Sequence, residues 1–122
     1  MADRPTLQPV VWVGASHRDF CRFPDAVQAR MGYAPYVAKM GEKHRDAKPL
    51  RGFGGAGVLE IVNDYQGDAF RCIYTVRIAG SVYVLHAFQK KSRTGRETPK
   101  SEVDLIKRRL RDAESRAQGS RS

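Results

Sequence analysis

Hydrophobic positions along the chain switch between helical and strand periods, and the switches outline its elements. Val10-Val11-Trp12-Val13 is a short β-branched and aromatic run closed by Gly14, which predicts an early strand buried on at least one face. Ser16 and Asp19 then resemble a capping box at a helix start, with the aspartate as a shorter stand-in for glutamate. Phe20, Phe23, Val27 and Met31 follow at spacings of three and four, a helical stripe facing one way. Pro24 divides the stripe and fits the N1 position of a second helical segment, where its missing N–H is lost without penalty. Gly32 and Pro35 weaken any helix continuing toward Gly41.

Residues 42–57 are charged and then glycine-rich, which predicts a loop, and they lack the residue order of a phosphate-binding P-loop. Three strand-like runs follow at residues 58–62, 70–76 and 82–88. Asp64-Tyr65-Gln66-Gly67-Asp68 and Ala79-Gly80-Ser81 supply turn chemistry between them, so an antiparallel meander is the economical solution. Strand alternation then puts Arg71, Ile73 and Thr75 on one face and Cys72, Tyr74 and Val76 on the other. By the same rule His86 shares a face with Val84, Phe88 and Lys90. Thr98-Pro99 forms an N-cap and N1 pair ahead of Val103, Ile106, Leu110 and Ala113, an amphipathic helix with Lys107, Arg108, Arg109 and Arg111 on its other faces. After about residue 115 the composition turns polar, as in a frayed tail.

The 122 residues suffice for one domain, and the 41% hydrophobic content for one core. The expected fold class is α+β, a single domain in the order β-α-α-β-β-β-α over residues 1–122, with an ordered core of about residues 8–115. Charge then narrows the partners. Lys plus Arg total 22 against 13 Asp plus Glu, a net +9, and the resulting positive field favours polyanions, nucleic acid first. The excess concentrates toward the C-terminus, where residues 89–122 carry 11 basic and 5 acidic groups, 11 − 5 = +6.

No apolar stretch is long enough to cross a bilayer, and no hydrophobic signal core follows the first residues, so a cytoplasmic protein with no membrane partner is expected. Cys21 and Cys72 lie in apolar-patterned segments without CxxC spacing and are expected as reduced, buried thiols. His17, His44 and His86 show no metal-ligand spacing, and no metal or other cofactor is expected.

The densest cationic signal is Phe88-Gln89-Lys90-Lys91-Ser92-Arg93-Thr94-Gly95-Arg96, at the end of an apolar strand. As composition it reads first as a solvated run that protects a sheet edge. Together with Lys48-Pro49-Leu50 and Gly52, the Gly57-Val58-Leu59-Glu60 strand start, Phe70-Arg71-Cys72-Ile73-Tyr74 and Val84-Leu85-His86-Ala87-Phe88, it resembles the RelE/ParE superfamily, and more narrowly its HigB-like, phage-associated branch. The resemblance spans roughly residues 10–112 and is most specific at the His-x-Phe-x-Lys-Lys strand end.

The resemblance implies a RelE-like fold and the toxin of a type II toxin–antitoxin pair, which cleaves mRNA on the ribosome without a metal and is held inactive by a cognate antitoxin, a helix-turn-helix protein encoded nearby. Such chemistry needs a base at the ribose 2′-oxygen, cations on the phosphate and an acid at the leaving 5′-oxygen. Arg71 matches the phosphate-stabilising arginine, and Lys90 and Lys91 match the basic strand end. Glu60 stands where relatives place a lysine or a glutamate, so it is either the base or an ion-pair partner of a nearby cation. His86 is either an acid or base titrating near neutrality or a hydrogen-bonded core histidine. Tyr74, three residues from Arg71, points away from it into the core in a regular strand, an assignment that a bulge would reverse.

Lys48, Arg51, Arg93 and Arg96 flank this set as RNA-backbone contacts. Arg108, Arg109 and Arg111 extend the footprint or meet an acidic antitoxin, and Tyr65 and Phe53 either stack on a base or pack locally. Two other readings remain open on the same residues, a ParE-like inhibitor of DNA gyrase and a non-catalytic basic nucleic-acid-binding module.

Overall fold

The three strand-like runs pair as the antiparallel meander their turns demand. The computed structural model describes residues 10–32, 47–53, 57–78, 81–90 and 99–119. Strand β1 is Val10–Trp12, β2 Lys48–Pro49, β3 Val58–Tyr65, β4 Asp68–Ile78 and β5 Ser81–Lys90; helix α1 is Ser16–Phe20, α2 Asp25–Met31 and α3 Lys100–Gly119. β3 and β4 stay in register from Val58 opposite Thr75 to Tyr65 opposite Asp68. Gln66 and Gly67 close the hairpin with φ of 51° and 86°, the two positive values of a type I′ turn, whose twist matches that of the strands. All three strands run beyond the apolar segments that announce them, because polar ends such as Asn63, Asp64 and Asp68 also pair.

Two short edges complete a mixed sheet of order β1-β5-β4-β3-β2. β1 lies parallel to β5, with Val10 opposite Val82 and Trp12 opposite Val84. β2 pairs with β3 through Lys48 opposite Glu60 and Pro49 opposite Leu59, in a stretch expected to be loop. A proline fits there because an edge strand has one side with no ladder bond to make. The order is thus the expected α+β sequence with β2 added.

The sheet carries a core on each face. Phe20, Phe23, Val27 and Met31 of the helical stripe pack on Ile61, Phe70, Cys72, Tyr74, Val82 and Val84. On the opposite face Ile106, Ala113 and Ala117 of α3 cover Val58, Ile73, Tyr83, Leu85 and Phe88. The expected alternation along β4 therefore holds at Cys72, Ile73 and Tyr74; the side chain of Val76 lies outside the described residues.

Three helix starts differ from the expected caps. Ser16 is the first helical residue, with Ala15 at the N-cap and no side-chain cap bond. Its buried hydroxyl instead donates to the Val84 carbonyl oxygen at 3.1 Å, tying α1 to the sheet. Pro24 takes the N-cap rather than N1, with ψ of 147°, and its carbonyl accepts from Val27 and Gln28, each at 2.9 Å. Pro99 likewise precedes α3 and accepts from Glu102 and Val103 at 3.0 Å. Thr98, the segment between Gly32 and Ala47, residues 54–56, residues 79–80 and the last three residues lie outside the described residues.

A bulge in β5 positions the site. The register steps from Ile73 opposite His86 to Tyr74 opposite Val84, leaving Leu85 without a cross-strand partner. The extra residue reverses the alternation. Val84 faces α1 and α2, whereas Leu85 and Phe88 face α3. His86 accordingly shares its face with Phe88 but not with Val84, correcting the simple period-two reading.

Candidate functional site

Register brings residues distant in sequence onto the α3 face of the sheet. Lys48, Glu60, Ile73 and His86 form one row across β2, β3, β4 and β5. Val62, Arg71 and Phe88 form the next. Arg71 thus has Glu60 on one diagonal and His86 on the other, within reach of long side chains.

Arg71 and Glu60 form an ion pair with Nη1 3.3 Å from Oε2, and the arginine side chain is 6% exposed against 19% for the glutamate. A buried guanidinium needs such a counter-charge, since desolvation is costly for an unmatched charge. Glu60 therefore realises the ion-pair reading and, as the more exposed member, is also the one that solvent reaches first. Strand pairing places the Lys90 backbone opposite Ala69, two residues from Arg71. Gln89 Nε2 donates to Asp68 Oδ2 at 2.7 Å, fastening this end of β5 to β4. The Lys90 side chain lies outside the described residues, as do Lys91, Arg93 and Arg96 entirely.

His86 is buried and bonded on both ring nitrogens. Nε2 lies 3.3 Å from each carboxylate oxygen of Glu102. Nδ1 accepts from Nη1 of Arg109 at 3.2 Å, and the same Nη1 donates to the Leu85 carbonyl oxygen at 3.0 Å. The ring stacks on Phe88 with centroids 4.8 Å apart and planes 19° from parallel. Burial pulls the His86 pKa below the ordinary imidazole value and Arg109 pushes the same way, while Glu102 and Asp19 oppose them.

Glu102 and Arg109 were not singled out as a pair by sequence patterning. Their signal is spacing, since residues 102, 106, 109 and 113 fall on one face of α3, in line with buried Ile106 and Ala113. Arg109 is the correction among the helix cations, turned onto the sheet rather than outward. Gly14 makes room for it, because a Cβ there would sit 3.0 Å from Arg109 Nε. Arg108 and Arg111 are exposed, as are Lys48 and Arg51. Phe53 packs locally beneath Lys107, whose Nζ lies 5.9 Å from the ring centroid, and Tyr65 packs against the α1 and α2 core.

The cysteines divide. Cys72 is buried, and desolvation pushes its thiol up to about 12. Cys21 is exposed, contrary to expectation, because it falls in the connection after α1. Tyr74 is fully buried with its phenol raised to about 12 by desolvation, as a core residue requires. Among the described residues no helix is long and apolar enough to span a membrane.

Comparison with known proteins adds the family. The sequence matches the family described as Phage derived protein Gp49-like (DUF891) over residues 18–111. The chain belongs to that family. Within this Gp49-like chain, the match includes β2 through β5 and therefore Glu60, Arg71 and His86, together with Glu102 and Arg109 on α3. The phage-derived character agrees with the phage-associated part of the sequence resemblance. No curated protein matches the chain. Among solved structures the Gp49-like chain is similar to one in the crystal structure of the toxin-antitoxin complex RelBE2 from Mycobacterium tuberculosis, with 20% identity and a TM-score of 0.44 over 75% of this chain and 100% of that one.

Proposed function

We propose that the protein is the toxin of a type II toxin–antitoxin pair and acts as a ribosome-dependent mRNA endoribonuclease. The observation that carries this reading is the Arg71–Glu60 pair, set on one sheet face two residues from the strand end where Lys90 and Lys91 begin a run of cations. The pattern resemblance to the HigB-like branch supports it, as does membership of the phage-derived family. In this reading the ribose 2′-oxygen attacks the adjacent phosphorus while the P–O5′ bond breaks, leaving a 2′,3′-cyclic phosphate and a 5′-hydroxyl. Glu60 takes the 2′-hydroxyl proton, Arg71 turns its fork to the phosphate as charge develops there, and Lys90 or Lys91 supplies a proton to the departing oxygen. Lys48 and Arg51 from β2 and its turn, with Arg93 and Arg96, hold the RNA backbone. No metal is required, and a cognate antitoxin keeps the enzyme silent in the cytoplasm.

The test is induced expression in a bacterium, wild type beside Arg71→Ala and Lys91→Ala at equal levels, with transcript 5′ ends mapped on translated and untranslated messages. New in-frame cuts confined to translated messages and lost in both variants support the reading. Growth arrest with intact messages overturns it in favour of a gyrase-directed toxin, and no arrest overturns it in favour of a non-catalytic binding module.

A further inference from the structure

The Leu85 bulge creates a problem that α3 solves. A bulged residue leaves a strand carbonyl without its ladder partner, and a buried carbonyl requires another donor. Arg109 Nη1 meets the Leu85 oxygen at 3.0 Å and spends its second hydrogen on His86 Nδ1 at 3.2 Å. The consequence for the imidazole is specific. A guanidinium can only donate, so Nδ1 must present its lone pair, and the proton must sit on Nε2, where both Glu102 oxygens lie 3.3 Å away. A second proton on the ring would put an N–H on Nδ1 against the Arg109 donor.

We propose that Glu102 and Arg109 are positioning residues that lock His86 as a neutral Nε2–H imidazole, so that His86 fixes the bulged strand end rather than carrying protons in catalysis. The bonds run outward from there. The locked ring stacks on Phe88, which lies directly opposite Arg71 in the β4–β5 register. Helix α3 thereby braces the strand that delivers Lys90 to the candidate site. Among the described residues the charged groups acting on His86 are Glu102 and Arg109 from α3 and Asp19 from α1, with Arg71 on the neighbouring strand diagonal. The two carboxylates favour a charged ring. Direct contact with Arg109 and enclosure by Phe88 and α3 oppose it.

This inference goes beyond the nuclease reading and is tested without any activity. The full chain is labelled with ¹⁵N at histidine, and the His86 ring signals are assigned by their loss in His86→Gln. The expected result is a single tautomer protonated at Nε2, with ring shifts that move less between about pH 8 and about pH 6 than those of an ordinary imidazole near 6.5, which takes up most of a proton over that range. In Arg109→Met the ring is expected to titrate within that range, whereas Glu102→Gln, which keeps an acceptor oxygen, is expected to retain the Nε2–H form. A wild-type ring protonated at Nδ1, a mixture of tautomers, or a full titration near the ordinary value overturns the proposal. The wild-type spectrum decides the matter even if Arg109→Met does not fold.

Discussion

Arg71 and Glu60 stand eleven residues apart in sequence and 3.3 Å apart in the fold, joined diagonally across β3 and β4. The pair unites two roles, a counter-charge that permits a guanidinium to be buried and a carboxylate beside the cation proposed to meet phosphate. Removing the carboxylate therefore affects stability as well as chemistry. Glu60→Ala is expected to cost about 1.5–3 kcal/mol, the range of a hydrogen bond to a charged group. Urea unfolding checks this through a lowered midpoint at unchanged slope, and an unchanged midpoint contradicts it.

Glu60→Gln separates the two roles. The amide keeps a hydrogen-bond acceptor toward Arg71 but cannot serve as a base. Message cleavage is expected to fall on the order of 10²-fold, within the usual range of a general base, while the unfolding midpoint moves less than in the alanine variant. Equal cleavage by this variant and the wild type removes Glu60 from the mechanism.

The His86 pKa has a definite sign for stability. Because the folded chain holds it below its unfolded value near 6.5, the unfolded chain binds more protons as the pH drops through that value. Its contribution to stability is thus complete above about pH 6.5 and is lost as pH falls toward the folded pKa. Unfolding measured from neutral to mildly acid pH should show that loss in the wild type and a shallower one in His86→Gln. Parallel profiles contradict the assignment.

Gly14 is a backbone requirement. With φ of +57° it occupies the left-handed region, and an added Cβ crowds the Arg109 guanidinium. Gly14→Ala is expected to cost about 1–2 kcal/mol from the backbone alone. Thermal unfolding should register the change together with weakened protection of the amides of α3, because the same substitution displaces Arg109.

Tyr74 offers the opposite sign. Its hydroxyl is buried with no hydrogen-bond partner among the described residues. Tyr74→Phe removes an unsatisfied polar atom and keeps the ring, so stability is expected to stay level or rise by about 1 kcal/mol. A loss of stability in this variant shows that the hydroxyl is bonded.

Much of this was legible in the chain itself. Both helical stripes, the meander, a turn within residues 64–68 and the shared face of Arg71 and Ile73 follow from local periodicity and turn chemistry, although the turn proper is only Gln66-Gly67 and its flanks pair as strand. What escaped depends on distant contacts. Nothing near Val10 announces a parallel partner in β5, and Lys48-Pro49 is too short to show a strand period. The bulge at Leu85 reversed the expected face of Val84 relative to His86, since one inserted residue changes the phase of everything before it. Ser16 is a natural cap in sequence, but the Val84 carbonyl claims its hydroxyl. Arg109 reads as one more helix cation until the strand carbonyl it satisfies is known. In the candidate site, Glu60 and Arg71 were singled out by resemblance and register brings them together, whereas Glu102 became visible only when α3 lay on the sheet.

The most direct test of the central claim is cleavage of a defined message by purified protein in a reconstituted translation reaction, with and without ribosomes. Wild type is compared with Arg71→Lys and Lys91→Ala after each is shown to be folded. The account predicts metal-independent cuts only when ribosomes are engaged, with a 2′,3′-cyclic phosphate end, and a loss on the order of 10²-fold in each variant. An intact message in the wild-type reaction, equal cutting of naked RNA, or undiminished cutting by both folded variants contradicts it.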